Sequence, residues 1–188
     1  MSIEARIVAQ KKCVSPTDDG SEGRPPVVFI TFTVDLRARN VSARNVILCK
    51  KCIVDGGPRV RAVGSDGGPG ETTADIREDS FGFEPPPPFH GQSNADYVVL
   101  KPGDTYEAQV PTHIFGAVAP NYPPRLGRLS AGRYFLEGGF FSWSEPNSIT
   151  NSFRQHWKRI GDLYDRGFET APMPFEIDLP KDLPKCPD

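Results

Sequence analysis

Long apolar runs are missing from this sequence: no stretch approaches the ~18 consecutive apolar residues of a membrane-spanning helix, so membrane insertion by a helix is not expected. Charge of one sign is missing too. The 22 Lys and Arg are interspersed with 24 Asp and Glu for a net charge of −2, so no broad field would gather nucleic acid or anionic lipid. Catalytic signatures are equally sparse. There is no His-Glu-x-x-His, no Gly-x-Ser-x-Gly elbow that would place a serine on a strand-to-helix turn, and no second Cys-x-x-Cys to complete a zinc site. Accordingly no catalytic residue, metal ligand or cofactor is assigned, and the chain is not expected to be an enzyme. The opening residues 1–6 lack the apolar core of a signal peptide, which leaves a cytoplasmic protein, or an extracytoplasmic one whose leader has been replaced by a starting Met.

What is abundant is proline and glycine. The 20 Pro and 18 Gly together exceed the roughly 12% usual in globular proteins, and neither is tolerated well inside helices. The composition therefore favours short strands joined by turns and long loops, in one domain spanning 1–188. Residues 3–10 alternate, with Ile3, Ala5, Ile7 and Ala9 on one side and Glu4, Arg6 and Gln10 on the other, as a half-buried strand does. Residues 27–36 are almost wholly β-branched or aromatic and form the most secure strand. A polar turn at 40–43 leads into a strand at 45–54, either as a long hairpin or as a crossing between sheets. Residues 55–95, with their Gly-Gly-Pro and polyproline runs, read as a long surface excursion. Order returns at 97–100, followed by Lys101-Pro102-Gly103-Asp104, whose Pro-Gly centre suits a type II turn, and by a strand at 105–110. Further strands are expected at 132–141 and 174–179.

One helix is expected over about 147–167. Asn147 or Ser148 can cap it, Ile149, Phe153, Trp157, Ile160 and Tyr164 recur at helical spacing, and Gly167 stands where it would stop. Trp157 would be the main packing anchor. The opposite face would present Arg154, Lys158 and Asp162 to solvent or to a partner.

Leu129-Ser130-Ala131-Gly132-Arg133-Tyr134 resembles the tyrosine corner of immunoglobulin-like and fibronectin-like sandwiches. Taken with Tyr97-Val98-Val99-Leu100-Lys101-Pro102-Gly103-Asp104-Thr105-Tyr106, it resembles the bacterial immunoglobulin-like domains found beside secreted lysine-specific metallopeptidases, and small intracellular proteinase inhibitors. The resemblance covers mainly 27–54 and 97–143. It implies an all-β, immunoglobulin-like antiparallel β-sandwich, to which the residues themselves add long Pro/Gly-rich loops and one inserted α-helix before the last strand, an insertion that departs from the simpler family pattern. It also implies a largely buried Tyr134 with its hydroxyl on backbone. Because first and last strands of such sandwiches often lie side by side and parallel, it further implies that Cys13 and Cys186 approach one another. No peptidase activity follows from it.

Other constellations have plain readings beside functional ones. Cys49-Lys50-Lys51-Cys52 has the spacing of a thiol or metal half-site, yet residues three apart on a strand face opposite ways, which favours structural cysteines. His90, even taken with Asp96, and His113 and His156 share no spacing that argues a common site. Phe83 and Phe89 in the 81–89 run could form an aromatic platform for a sugar or peptide, or simply cover a sheet edge. Phe115 and Tyr122 belong to a proline-stiffened segment at 115–126 that could lie in a protease cleft as an inhibitor loop. Asn40-Val41-Ser42 fits a glycosylation acceptor where the source has that pathway. The function expected is non-catalytic: a binding or accessory domain offering loops and a helix, with Arg154 and Lys158, to a protein or glycan partner.

Overall fold

The computed structural model describes residues 1–15, 26–50, 53–55, 59–72, 96–117, 130–142, 155–164, 167–179 and 182–187. Three long strands form the first sheet, β1 (Ser2–Val14), β2 (Val27–Arg39) and β8 (Thr105–Ala117), in the order β1-β2-β8 with both pairings antiparallel. Shorter strands make up three further sheets. One has the order β13 (Met173–Ile177), β9 (Gly132–Glu137), β5 (Arg59–Val63), β6 (Pro69–Thr72). Another has β11 (Asp162–Leu163), β3 (Val46–Cys49), β7 (Tyr97–Leu100), and the last has β12 (Gly167–Glu169), β10 (Gly139–Ser142), β4 (Ile53–Asp55). All pairings are antiparallel except β11 with β3. The architecture is an all-β sandwich.

Alternation along β2 drives the layering. Val28, Ile30, Phe32, Val34, Leu36 and Ala38 are buried, and the residues between them face outward. The first five of those side chains meet Val60, Leu136, Met173, Phe175 and Ile177 of the β13-β9-β5-β6 sheet in the main core, where Phe32 and Phe175 meet edge to face at 4.9 Å. Ala38 instead packs on Leu48 and Leu100, which continues the core under β3 and β7. On the far side of that small sheet, Ile47, Cys49 and Tyr97 are covered by Trp157.

Residues 40–45 are thus a crossing between sheets and not a hairpin. Asn40 fixes it. Its fully buried amide donates to Arg44 O at 2.7 Å and Leu100 O at 2.9 Å, while its Oδ1 accepts from Ser42 N and Oγ. Gly103, at φ +88°, closes the Lys101–Asp104 turn as a type II geometry requires, and its N–H reaches Asn40 O at 2.8 Å.

Several expectations need correcting. Ala9 does not share a face with Ile3, Ala5 and Ile7, because Val8 is an extra residue in the β1–β2 ladder that flips the alternation after Ile7. Ala9 consequently faces out opposite Thr33, and Gln10 and Lys12 turn inward to donate to the carbonyls of Glu176 and Asp178. Within 55–95, residues 59–72 are a hairpin: Gly67, at φ +80°, and Asp66 Oδ1 bonding Gly68 N shape its turn. The single strand expected at 132–141 is two, β9 and β10, in different sheets. The step falls at Gly138, whose N–H donates to Thr170 Oγ1 and whose carbonyl accepts from Thr170 N.

The inserted helix before the last strand is present but ends earlier than expected, and residues 147–154 of its expected span lie outside the described residues. Among the described residues only 155–157 are helical, followed by a turn. Trp157 O accepts from both Ile160 N and Gly161 N, and then Asp162 N donates to Asn45 O as β11 joins β3. Gly161 is the cause: a Cβ there would lie 2.4 Å from Asn45 O, so the chain passes against β3 as only glycine can. Ile160 is left 42% exposed, and Gly167 opens β12 instead of ending a helix.

Candidate functional site

The three longest described strands offer the outer face of the β1-β2-β8 sheet. Direct partners in a ladder project to the same side, so the register gives the rows of this face. Ser2, Arg39 and Thr105 form the first; Glu4, Arg37 and Glu107 the second; Arg6, Asp35 and Gln109 the third. Beyond the bulge come Ala9, Thr33 and Pro111, then Lys11, Thr31 and His113, and finally Phe29 beside Phe115 with ring centres 5.5 Å apart.

Charges alternate in the second and third rows. Arg37 Nε donates to Glu107 Oε1 at 2.9 Å, Arg6 donates to Asp35 Oδ2 from Nε and Nη2, and Gln109 Nε2 donates to Asp35 Oδ1 at 2.9 Å. These rows line a shallow depression of about 590 Å3. Most of the pairs are solvent-exposed and contribute little stability, so what they do is hold a defined pattern of donors and acceptors at the surface. Such a floor can bind hydroxyls or amides by hydrogen bonding. Among the described residues, no group of three or more His, Cys, Asp or Glu side chains could hold a metal ion.

The residues singled out from sequence do not converge here. Phe115 lies within β8 and not in a loop, because that strand runs on to Ala117. Tyr122, Phe83, Phe89, His90 and Arg154 lie outside the described residues, as does all of 118–126. Lys158 is exposed in the turn after Trp157, on another part of the molecule. His113 faces out from β8, and Asp96 is buried beside Tyr97. Burial, and secondarily the Asp96 charge, raise the Tyr97 phenol above its ordinary pKa. Cys49 is disulfide-bonded, so it offers no thiolate, and Cys52 lies outside the described residues.

The structural residues fare better. Cys13 and Cys186 are bridged, with Cα atoms 4.9 Å apart, and Val14 pairs in parallel with Lys185 beside them. Tyr134 donates its hydroxyl to Ser130 O at 3.0 Å, with Ser130 Oγ at 2.7 Å, and stacks on Phe175. It is half-buried instead of largely buried, since its ring covers the core while its hydroxyl reaches the surface turn. Trp157 is buried against Tyr97, and its Nε1 has no hydrogen-bond partner among the described residues.

Sequence reasoning missed Asp35, Arg37, Glu107 and Gln109. The signal was present as the outward positions of two secure strands, but only the register shows which of them share a row. No protein-family model matches the sequence, and no curated protein matches it. Among the described residues, no helix is long and apolar enough to cross a membrane.

Proposed function

We propose that the chain is a non-catalytic binding or accessory domain that engages a protein or glycan partner through the outer face of the β1-β2-β8 sheet. The observation that carries this reading is the face itself: among the described residues, three thirteen-residue strands leave one side open, with charged side chains cross-linked into a patterned depression. Side chains on a continuous sheet are held with little freedom, so a partner binding there meets a preorganised surface and loses less entropy. The bridged cysteines fit an oxidising compartment, and we place the domain outside the cytoplasm.

Gln109→Arg tests the reading, because an arginine can keep the bond to Asp35 while filling the depression. Wild type and variant are screened on a glycan array and against displayed extracellular proteins, with melting curves as the check on folding. Loss of the captured ligand at unchanged melting temperature supports the reading. A ligand held equally well by both moves the site off this face.

A further inference from the structure

The geometry points to a second interaction surface, the free edge of β1, and to its occupant: we propose that β1 pairs antiparallel with β1 of a second copy of this chain, centred on Ala5. Among the described residues β1 is hydrogen-bonded to a strand on one side only, and the C-terminal segment meets its other side at Val14, at the far end. An edge of this kind presents unpaired N–H and C=O groups and is a template for another strand. From Ser2 to Ile7 it is regular, and the Val8 bulge closes the usable stretch.

That stretch is self-complementary in one register. With Ala5 opposite Ala5 of the second copy, Glu4 faces its Arg6, Arg6 its Glu4, Ile3 its Ile7 and Ile7 its Ile3. Moving the centre to Glu4 sets two carboxylates opposite one another, and moving it to Arg6 sets two guanidiniums opposite one another. Slipping by one residue is excluded because it would set outward-facing side chains against inward-facing ones. The Ala5 register also continues the charge pattern already built within each chain. Read across both copies, the row runs Glu107, Arg37, Glu4, then Arg6 and Asp35 of the second copy, alternating in sign through the junction and ending on the neutral Gln109. On the inner face, Ile3, Ala5 and Ile7 are half-buried at the open margin of the core, and the added strand would cover them. The product is a six-stranded sheet with the two depressions side by side.

Sedimentation of the full chain over a concentration series tests this. Wild type should approach twice the 20.7 kDa of one chain as concentration rises. Glu4→Arg and Arg6→Glu each place like charges opposite one another and should weaken the dimer by about tenfold or more. Mixing the two variants places opposite charges at both junction pairs, so the equimolar mixture should regain the dimer, a rescue that damaged folding would not produce. Ala5→Cys should oxidise to a covalent dimer, since directly opposed residues have Cα atoms about 4.5–5.5 Å apart, within disulfide reach. Wild type that stays monomeric, a mixture that does not recover, or an edge that takes up only strands of other proteins overturns the proposal. Should either charge variant fail to fold, the Ala5→Cys cross-link decides alone.

Discussion

Asn40 shows how much one side chain can settle. The sequence offered it as a glycosylation acceptor, but its amide is fully buried and bonds two carbonyls, so in the folded protein no amide nitrogen is free to carry a sugar. It joins the β2–β3 crossing to the end of β7, and its own backbone bonds the Lys101–Asp104 turn through Gly103 and Asp104. Asn40→Ala should therefore strand the buried Leu100 carbonyl, the partly buried Arg44 carbonyl and the Ser42 donors, lowering stability by about 2–3 kcal/mol in urea unfolding. An unchanged midpoint would mean that water replaces the amide. Tyr134 is the opposite case, a residue whose bond to backbone four residues upstream was legible from Ser130, Gly132 and the phenol together. Val8 was not legible. Nothing in Ile7-Val8-Ala9 distinguishes a bulge from a regular strand, and the one-residue slip reassigns every later side chain of β1.

At the scale of elements, β2 and the short β7 and β13 could be read, β8 only in its first half, and the strands that switch sheets could not. β2 and β8 bury one complete side, so period-two alternation persists over enough residues to be seen. β3 is buried on both sides, and β10 and β11 are too brief for any period to emerge. The described end of the stripe misled because two different elements share it: Trp157 is anchored by a helical turn, whereas Tyr164 follows β11 and donates its N–H to Ile47 O. Gly161 was the overlooked signal, lying inside the stripe where a helix gains nothing from glycine. Trp157 nevertheless keeps its expected weight, closing the small core of Ile47, Cys49, Tyr97, Val99 and Leu163. Trp157→Ala should cost about 3–5 kcal/mol in denaturant unfolding. Trp157→Phe should cost distinctly less, because the substitution also removes a buried N–H that has no partner among the described residues. Equal losses for the two would show that ring area alone matters.

For the whole molecule, the margin where β1 meets β13 decides how the two layers stay together. Past the bulge, Gln10 and Lys12 reach across to carbonyls after and within β13, Lys12 adds an ion pair to Asp178, and the Cys13–Cys186 bridge locks the same margin a few residues on. Before the bulge, the same strand has no such fastening among the described residues, and there its free edge carries the self-complementary segment. One irregular residue thus divides β1 into a half that closes the sandwich and a half available for association. The bridge spans a sequence separation of 173 residues, so breaking it releases almost the entire unfolded chain from constraint. Replacing both Cys13 and Cys186 by serine should lower stability by about 3–5 kcal/mol. Measured by urea unfolding without reductant, the double variant isolates this bridge from the one at Cys49. Because the closing half is separate from the associating half, the double variant should still dimerise at concentrations where it is folded. If dimerisation is lost together with the bridge while the fold persists, the two halves of β1 are coupled and the bulge does not insulate them.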